Sequence, residues 1–224
     1  MKYIPFLVMS FFIFSTVACS SNEDISNSVE VKAKAGEPEV KSLSFEDQTI
    51  IKKYKEKIDS LDLRDRELVE KVRRDSLSEI SKIQDDNERS KLQMEIYSSL
   101  GMYKEAYELN GKMLEKSFSE GRLIHQCDLT YYAQRPKQEY EACHARLALA
   151  VEKELKIKPK TDPEYIYGKW GYLLSMYKSG HDEYRWQLKE ILESIKDDQI
   201  RLQFEGSYEL AVQQVESYKK LSHD

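Results

Sequence analysis

Met94-Glu95-Ile96-Tyr97-Ser98-Ser99-Leu100-Gly101-Met102-Tyr103-Lys104-Glu105-Ala106-Tyr107-Glu108-Leu109 carries more architectural information than any other stretch of this 224-residue chain. Its first half ends at Gly101, a residue that reaches positive φ without a Cβ penalty and so closes helices. Its second half opens on Tyr103 and Glu105-Ala106, and a side chain as small as Ala106 lets two helices approach closely. The segment reads as the end of one helix, a tight turn and the start of a second. Just upstream, Asp85-Asp86-Asn87-Glu88 has the form of an N-terminal cap, so a series of helix pairs begins there.

Composition points the same way. With 40% hydrophobic and 33% charged residues, only eight Gly and five Pro, the chain suits long amphipathic helices better than a turn-rich β protein. Gly101, Tyr103, Glu105 and Ala106 resemble the turn and second helix of a tetratricopeptide repeat. Tyr140-Glu141-Ala142 restates part of that motif, and Gly180 with Tyr184 restates another part. The spacings from Tyr103 to Tyr140 to Tyr184 are 37 and 44 residues, against about 34 in the family. The resemblance implies an all-α fold of stacked antiparallel helical hairpins over residues 87–221, a solenoid of about seven or eight helices for the whole chain. Asp162-Pro163-Glu164 is expected to open one of these helices with Pro at its first position.

Ahead of the hairpins, residues 44–86 read as a long helical segment. Ser44-Phe45-Glu46-Asp47 forms a capping box, and Ile50, Ile51, Tyr54, Ile58 and Leu61 follow at helical spacing. From Asp62 onward the pattern implies one long helix, or two with a break near Asp75-Ser76. Residues 20–43 show no sustained apolar period and read as a disordered tether, with a reach of roughly 25–30 Å. Residues 1–18 have a basic start, an apolar run and small residues, the order of a secretory signal. The run is short for a membrane span of about 20 residues. Val17-Ala18-Cys19 resembles the bacterial lipoprotein signal, with Thr16 where that family usually has Leu. The resemblance implies that Cys19 is lipidated and begins a tether over 19–43. Ser20 implies sorting to the outer membrane, with the folded part in the periplasm. The alternatives are an ordinary cleaved signal with Cys19 incidental and an uncleaved membrane helix.

The net charge of −5 gives no electrostatic reason to bind nucleic acid. Export implies an oxidising compartment, so Cys127 and Cys143 come first as a disulfide. Each lies eight residues from Arg135, and in an antiparallel hairpin turning there the two sulfurs come level. Two separate buried thiols are the alternative. His125 and His144 beside these cysteines tempt one toward zinc, but residues one or two apart on a helix point in different directions, so no metal is assigned. No G-x-S-x-G, H-E-x-x-H, phosphate-binding or dinucleotide-binding motif is present, and no cofactor or catalytic residue is assigned. Tyr167, Trp170 and Tyr177 share one face of an aromatic helix. They are expected to line a partner-binding groove supported by Trp186, although the same stripe fits a buried core equally. The functional expectation is a non-catalytic envelope scaffold that binds an unidentified envelope protein. The alternatives are an enzyme acting on cell-wall or envelope polymers, and a self-associating structural lipoprotein.

Mass spectrometry of the mature N-terminus tests the anchor. The expected first residue is an acylated Cys19, and Cys19→Ala should release the protein from membranes, because two or three acyl chains are needed for stable anchoring. An unmodified thiol, or a different first residue, excludes lipidation.

Overall fold

The computed structural model describes residues 42–221, so the expected signal, Cys19 and the tether up to residue 41 lie outside the described residues. The fold is all-α, with nine helices and no strand among the described residues. None of these helices is long and apolar enough to cross a membrane. The N-terminal segment forms α1 (Phe45–Asp59) and α2 (Arg66–Ile80). The break falls at residues 60–65 and not at Asp75-Ser76. Asp65 can cap a helix, its carboxylate accepting the Leu68 N–H at 3.1 Å. Ser76 instead turns its hydroxyl back onto the Val72 carbonyl at 2.7 Å and stays within α2.

Ser44 caps α1 as expected, its Oγ accepting the Asp47 N–H at 3.0 Å. The Asp47 carboxylate does something the sequence did not disclose. It is 2% exposed and accepts from the Gln84 N–H at 2.8 Å and the Asp85 N–H at 3.1 Å, pinning the start of α1 to the α2–α3 link. Those amide donors, Gln84 foremost, hold its pKa below the ordinary carboxylate value. Asp85 then caps α3 (Asp86–Ser99) through the Asn87 and Glu88 N–H groups.

The remaining helices are α4 (Tyr103–Lys116), α5 (Glu120–Tyr132), α6 (Lys137–Ile157), α7 (Tyr165–Lys178), α8 (Tyr184–Ser194) and α9 (Asp198–Leu221). Pro163 does not start a helix. It sits in the turn before α7, where Asp162 accepts the Glu164 N–H on its side chain and the Tyr165 N–H on its carbonyl. Each helix packs mainly on its chain neighbours, and α9 also on α7, which gives a solenoid-like stack. Three hairpin turns use one device, a left-handed residue after the first helix: Gly101 (φ 66), Gln134 (φ 54) and Gly180 (φ 98). In each, the next amide reaches back to close the helix: Met102 to Tyr97, Arg135 to Thr130, His181 to Met176.

The core is divided into three clusters. Ile51, Tyr54, Ile80, Ile83, Leu92 and Ile96 join α1–α3. Leu114, Leu123, Cys127, Leu147 and Val151 join α4–α6. Trp170, Leu173, Tyr177, Leu188, Ile191, Phe204, Ala211 and Val215 join α7–α9. Between the last two clusters, Gly168 lets α7 settle on α6: a Cβ there would meet Leu155 Cδ2 at 3.0 Å.

Cys127 and Cys143 form a disulfide across the α5–α6 hairpin, with Cα atoms 5.3 Å apart. In the non-reduced protein both thiols should resist alkylation under denaturing conditions and label only after reduction. The bond closes a sequence separation of 16 residues, and reduction should lower unfolding free energy by about 3 kcal/mol. Two labelled thiols without reductant would show that the bond does not form.

Candidate functional site

The aromatic face of α7 is used up by packing. Trp170 is 4% exposed and Tyr177 is fully buried. Trp170 stacks on Phe204 of α9 with ring centroids 4.4 Å apart, and its Nε1–H donates to Ser207 Oγ at 2.9 Å. The groove expectation is therefore corrected for Trp170 and Tyr177, which are core residues. The reason lies in the number of neighbours. With α6, α8 and α9 all packing on α7, the stripe that could have lined a groove has no free side.

Tyr167 and Trp186 stay accessible. Tyr167 is 42% exposed at the margin of the core, edge-on to Phe204 at 5.5 Å. Trp186 is 64% exposed on α8 and does not support Trp170. Leu202 on α9 is 70% exposed. Elsewhere, an open groove of about 480 Å³ runs between α3 and α4, walled by Gln93 and Tyr97 on one side and Lys104, Glu105, Glu108 and Lys112 on the other. Two lysines and two glutamates balance its charge, and Tyr97 and Leu109 add apolar lining.

A second arrangement was invisible in the sequence. Four aromatic side chains from α5, α6 and α9 gather at the α5–α6 turn. Tyr131 meets Tyr140 and Tyr218, Tyr140 meets Tyr218 at 4.8 Å, and Tyr140 meets the His144 ring edge-on at 4.6 Å. The Tyr140 hydroxyl donates to Gln214 Oε1 at 3.1 Å, and the Tyr218 hydroxyl donates to the Arg135 carbonyl at 3.0 Å. Burial pushes the Tyr218 phenol up to about 12 and raises Tyr140 further still, so both remain protonated donors. Tyr140 was legible only as part of a repeat motif, and Gln214, 74 residues away, carried no signal.

His144 sits within this cluster. It is 2% exposed, and neither ring nitrogen has a hydrogen-bond partner among the described residues. Burial, assisted by the Lys178 ammonium, holds its pKa well below the ordinary histidine value. Its neighbour Cys143 and the facing Cys127 are consumed in the disulfide, and His125, half-buried on α5, is also shifted down by burial. Among the described residues, no group of three or more His, Cys, Asp or Glu side chains is placed to hold a metal ion.

No protein-family model, curated protein or solved structure matches this chain.

The neutral, buried His144 gives the fold a defined pH response. Its folded pKa lies below the unfolded value of about 6.5, so above that pH neither state binds a proton there and stability is at its plateau. Below it the unfolded chain gains a proton that the folded chain refuses, and stability should fall by up to about 1.4 kcal/mol per pH unit until the folded pKa is reached. His144→Leu should flatten the profile between pH 6.5 and the carboxylate range, leaving the smaller slope of His125. Chemical denaturation across that window measures it. An identical slope in wild type and His144→Leu would place the proton uptake elsewhere.

Proposed function

We propose that this protein is an exported, lipid-anchored helical scaffold of the bacterial outer membrane whose periplasmic hairpins capture a partner protein without chemistry of their own. The observation that carries the reading is the Cys127–Cys143 bond inside a serial stack of helices. A cross-helix disulfide suits a chain that folds in an oxidising compartment, the same compartment that the signal-like residues 1–18 and Cys19 imply. A serial stack offers long edges and turns to a partner, as helical repeat proteins do. The hairpin turns at Gly101, Gln134 and Gly180, closed alike, fit the likeness to tetratricopeptide hairpins.

The partner-facing element on this reading is the α7–α9 end, where Trp186 and Tyr167 remain accessible. Large rigid aromatics supply much contact area at little entropy cost and dominate interface energetics. Trp186→Ala should change stability by no more than about 0.5 kcal/mol, as exposed substitutions do, and Tyr167→Ala by about 1 kcal/mol for its lost edge-on contact with Phe204. They should also weaken recovery of a defined partner from crosslinked envelopes. Recovery unchanged in both variants removes this surface. Glycan fragments in place of a protein point to an envelope-polymer enzyme, and self-crosslinks alone to a structural lipoprotein.

A further inference from the structure

A pocket of about 160 Å³ opens where the first turn of α6, the C-terminal end of α7 and the last turns of α9 meet. Lys137 and Glu141 of α6, Lys178 of α7, Asp182 of the α7–α8 turn, and Tyr218 and Lys219 of α9 form its wall. Two of the three cations are matched within the wall. Lys137 lies 3.4 Å from Glu141, and Lys219 lies 3.0 Å from Asp182. Lys178 is different. Its side chain is only 11% exposed, and its ion-pair contact is Asp128, 3.5 Å away and outside the wall.

An ammonium carries three donors, and one long contact leaves Lys178 with N–H groups for a further acceptor. Removed from water, such a group interacts more strongly than a surface lysine does. Behind the wall residue Tyr140, its ring neighbour His144 and its hydrogen-bond partner Gln214 each carry a buried polar atom without a partner among the described residues. The turn is shaped to fit. Gly180 takes φ 98, and a Cβ there would stand 3.0 Å from Glu141 Oε1, so the Glu141 carboxylate can lie against the turn backbone.

We propose that this pocket binds a small organic acid of amino-acid or hydroxy-acid size, its carboxylate on Lys178 Nζ and its α-amine or α-hydroxyl on the Glu141 or Asp182 carboxylate. The three cations of the wall are matched by Glu141 and Asp182 within it and by Asp128 and Glu216 beside it, so the site suits a zwitterion or a monoanion over a multiply charged anion. The volume holds about five waters, too little for a peptide segment. A ligand there touches α6, α7 and α9 at once and stabilises the folded state by mass action. This assignment stands apart from the anchoring and scaffold readings.

The test uses the full-length protein in detergent, titrated calorimetrically and by melting temperature with alanine, lactate, acetate and inorganic phosphate. Alanine and lactate differ only in the α-substituent, and acetate lacks it. Saturable one-to-one binding of alanine or lactate with a raised melting temperature is the expected result, with acetate weaker. Lys178→Met should weaken binding about tenfold or more, the scale of a lost charge-assisted hydrogen bond. Asp182→Asn, at an exposed turn, should weaken alanine more than lactate if the amine meets that carboxylate, and Lys52→Met on α1 should change nothing. No saturable binding of either acid to the wild type overturns the proposal, whatever the variants do. Phosphate binding in place of the acids, or an affinity that Lys178→Met leaves unchanged, overturns it as well.

Discussion

The Cys127–Cys143 bond ties α5 to α6 at equal distances from Arg135, and the turn between them becomes a fixed point that other helices grip. Gln134 takes the left-handed conformation there, which lets the Arg135 N–H reach the Thr130 carbonyl. The Arg135 carbonyl then accepts the Tyr218 hydroxyl from α9, and its guanidinium pairs with Glu139 while lying 5.0 Å over the Tyr107 ring of α4. Four helices thus converge on one turn. A left-handed non-glycine residue costs on the order of 1 kcal/mol, and a covalent bond about one and a half turns inside each helix, with a buried tyrosine on the carbonyl, is what over-determines it.

Around that point the stack is built in steps. Each of the three core clusters draws on consecutive helices, so burial in one adds little to the next, as in repeat architectures where stability sums over neighbours. Polar contacts cross the boundaries where apolar ones thin out. Lys116 of α4 reaches Asp86 of α3 at 2.7 Å across the first boundary, and Lys178 of α7 reaches Asp128 of α5 at 3.5 Å across the second. At the far end α9 runs 24 residues, long enough to pack on α7 and α8 through Phe204 and Ala211 and to reach the α5–α6 turn with Tyr218. It closes a step of the stack against a step already made.

That closure explains which aromatics remain available. Trp170 and Tyr177 would be groove residues in a stack ending at α8, and α9 makes them core. Tyr167 lies at the edge of the same cluster and Trp186 outside it, and both keep their exposure. The polar seam under Tyr140 and Tyr218 follows from the same docking, because α9 brings Gln214 against His144 and Tyr140 with fewer hydrogen bonds than the buried groups could make.

Helical periodicity, caps and closing residues were legible because they are local. Ser44 and Asp85 meet their own helix amides within three residues, and Gly101 and Gly180 take the conformation for which glycine is suited. The disulfide was legible too, since symmetry about a turn is a property of chain distance. Gln134 escaped notice because its left-handed φ is imposed by the bond and by Tyr218, not by its own side chain. The break at Ser60–Asp65 and the tertiary bonds of Asp47 were hidden by the many acidic residues able to cap something. By itself, then, the sequence determined an all-α chain of hairpins with a cross-linked middle pair. Only tertiary structure decided that Trp170 is core, that Trp186 is surface, and that Lys178, His144 and Gln214 share a seam. Burial depends on how many neighbours a helix acquires, and for α7 the last of them arrives some 30 residues later in the chain.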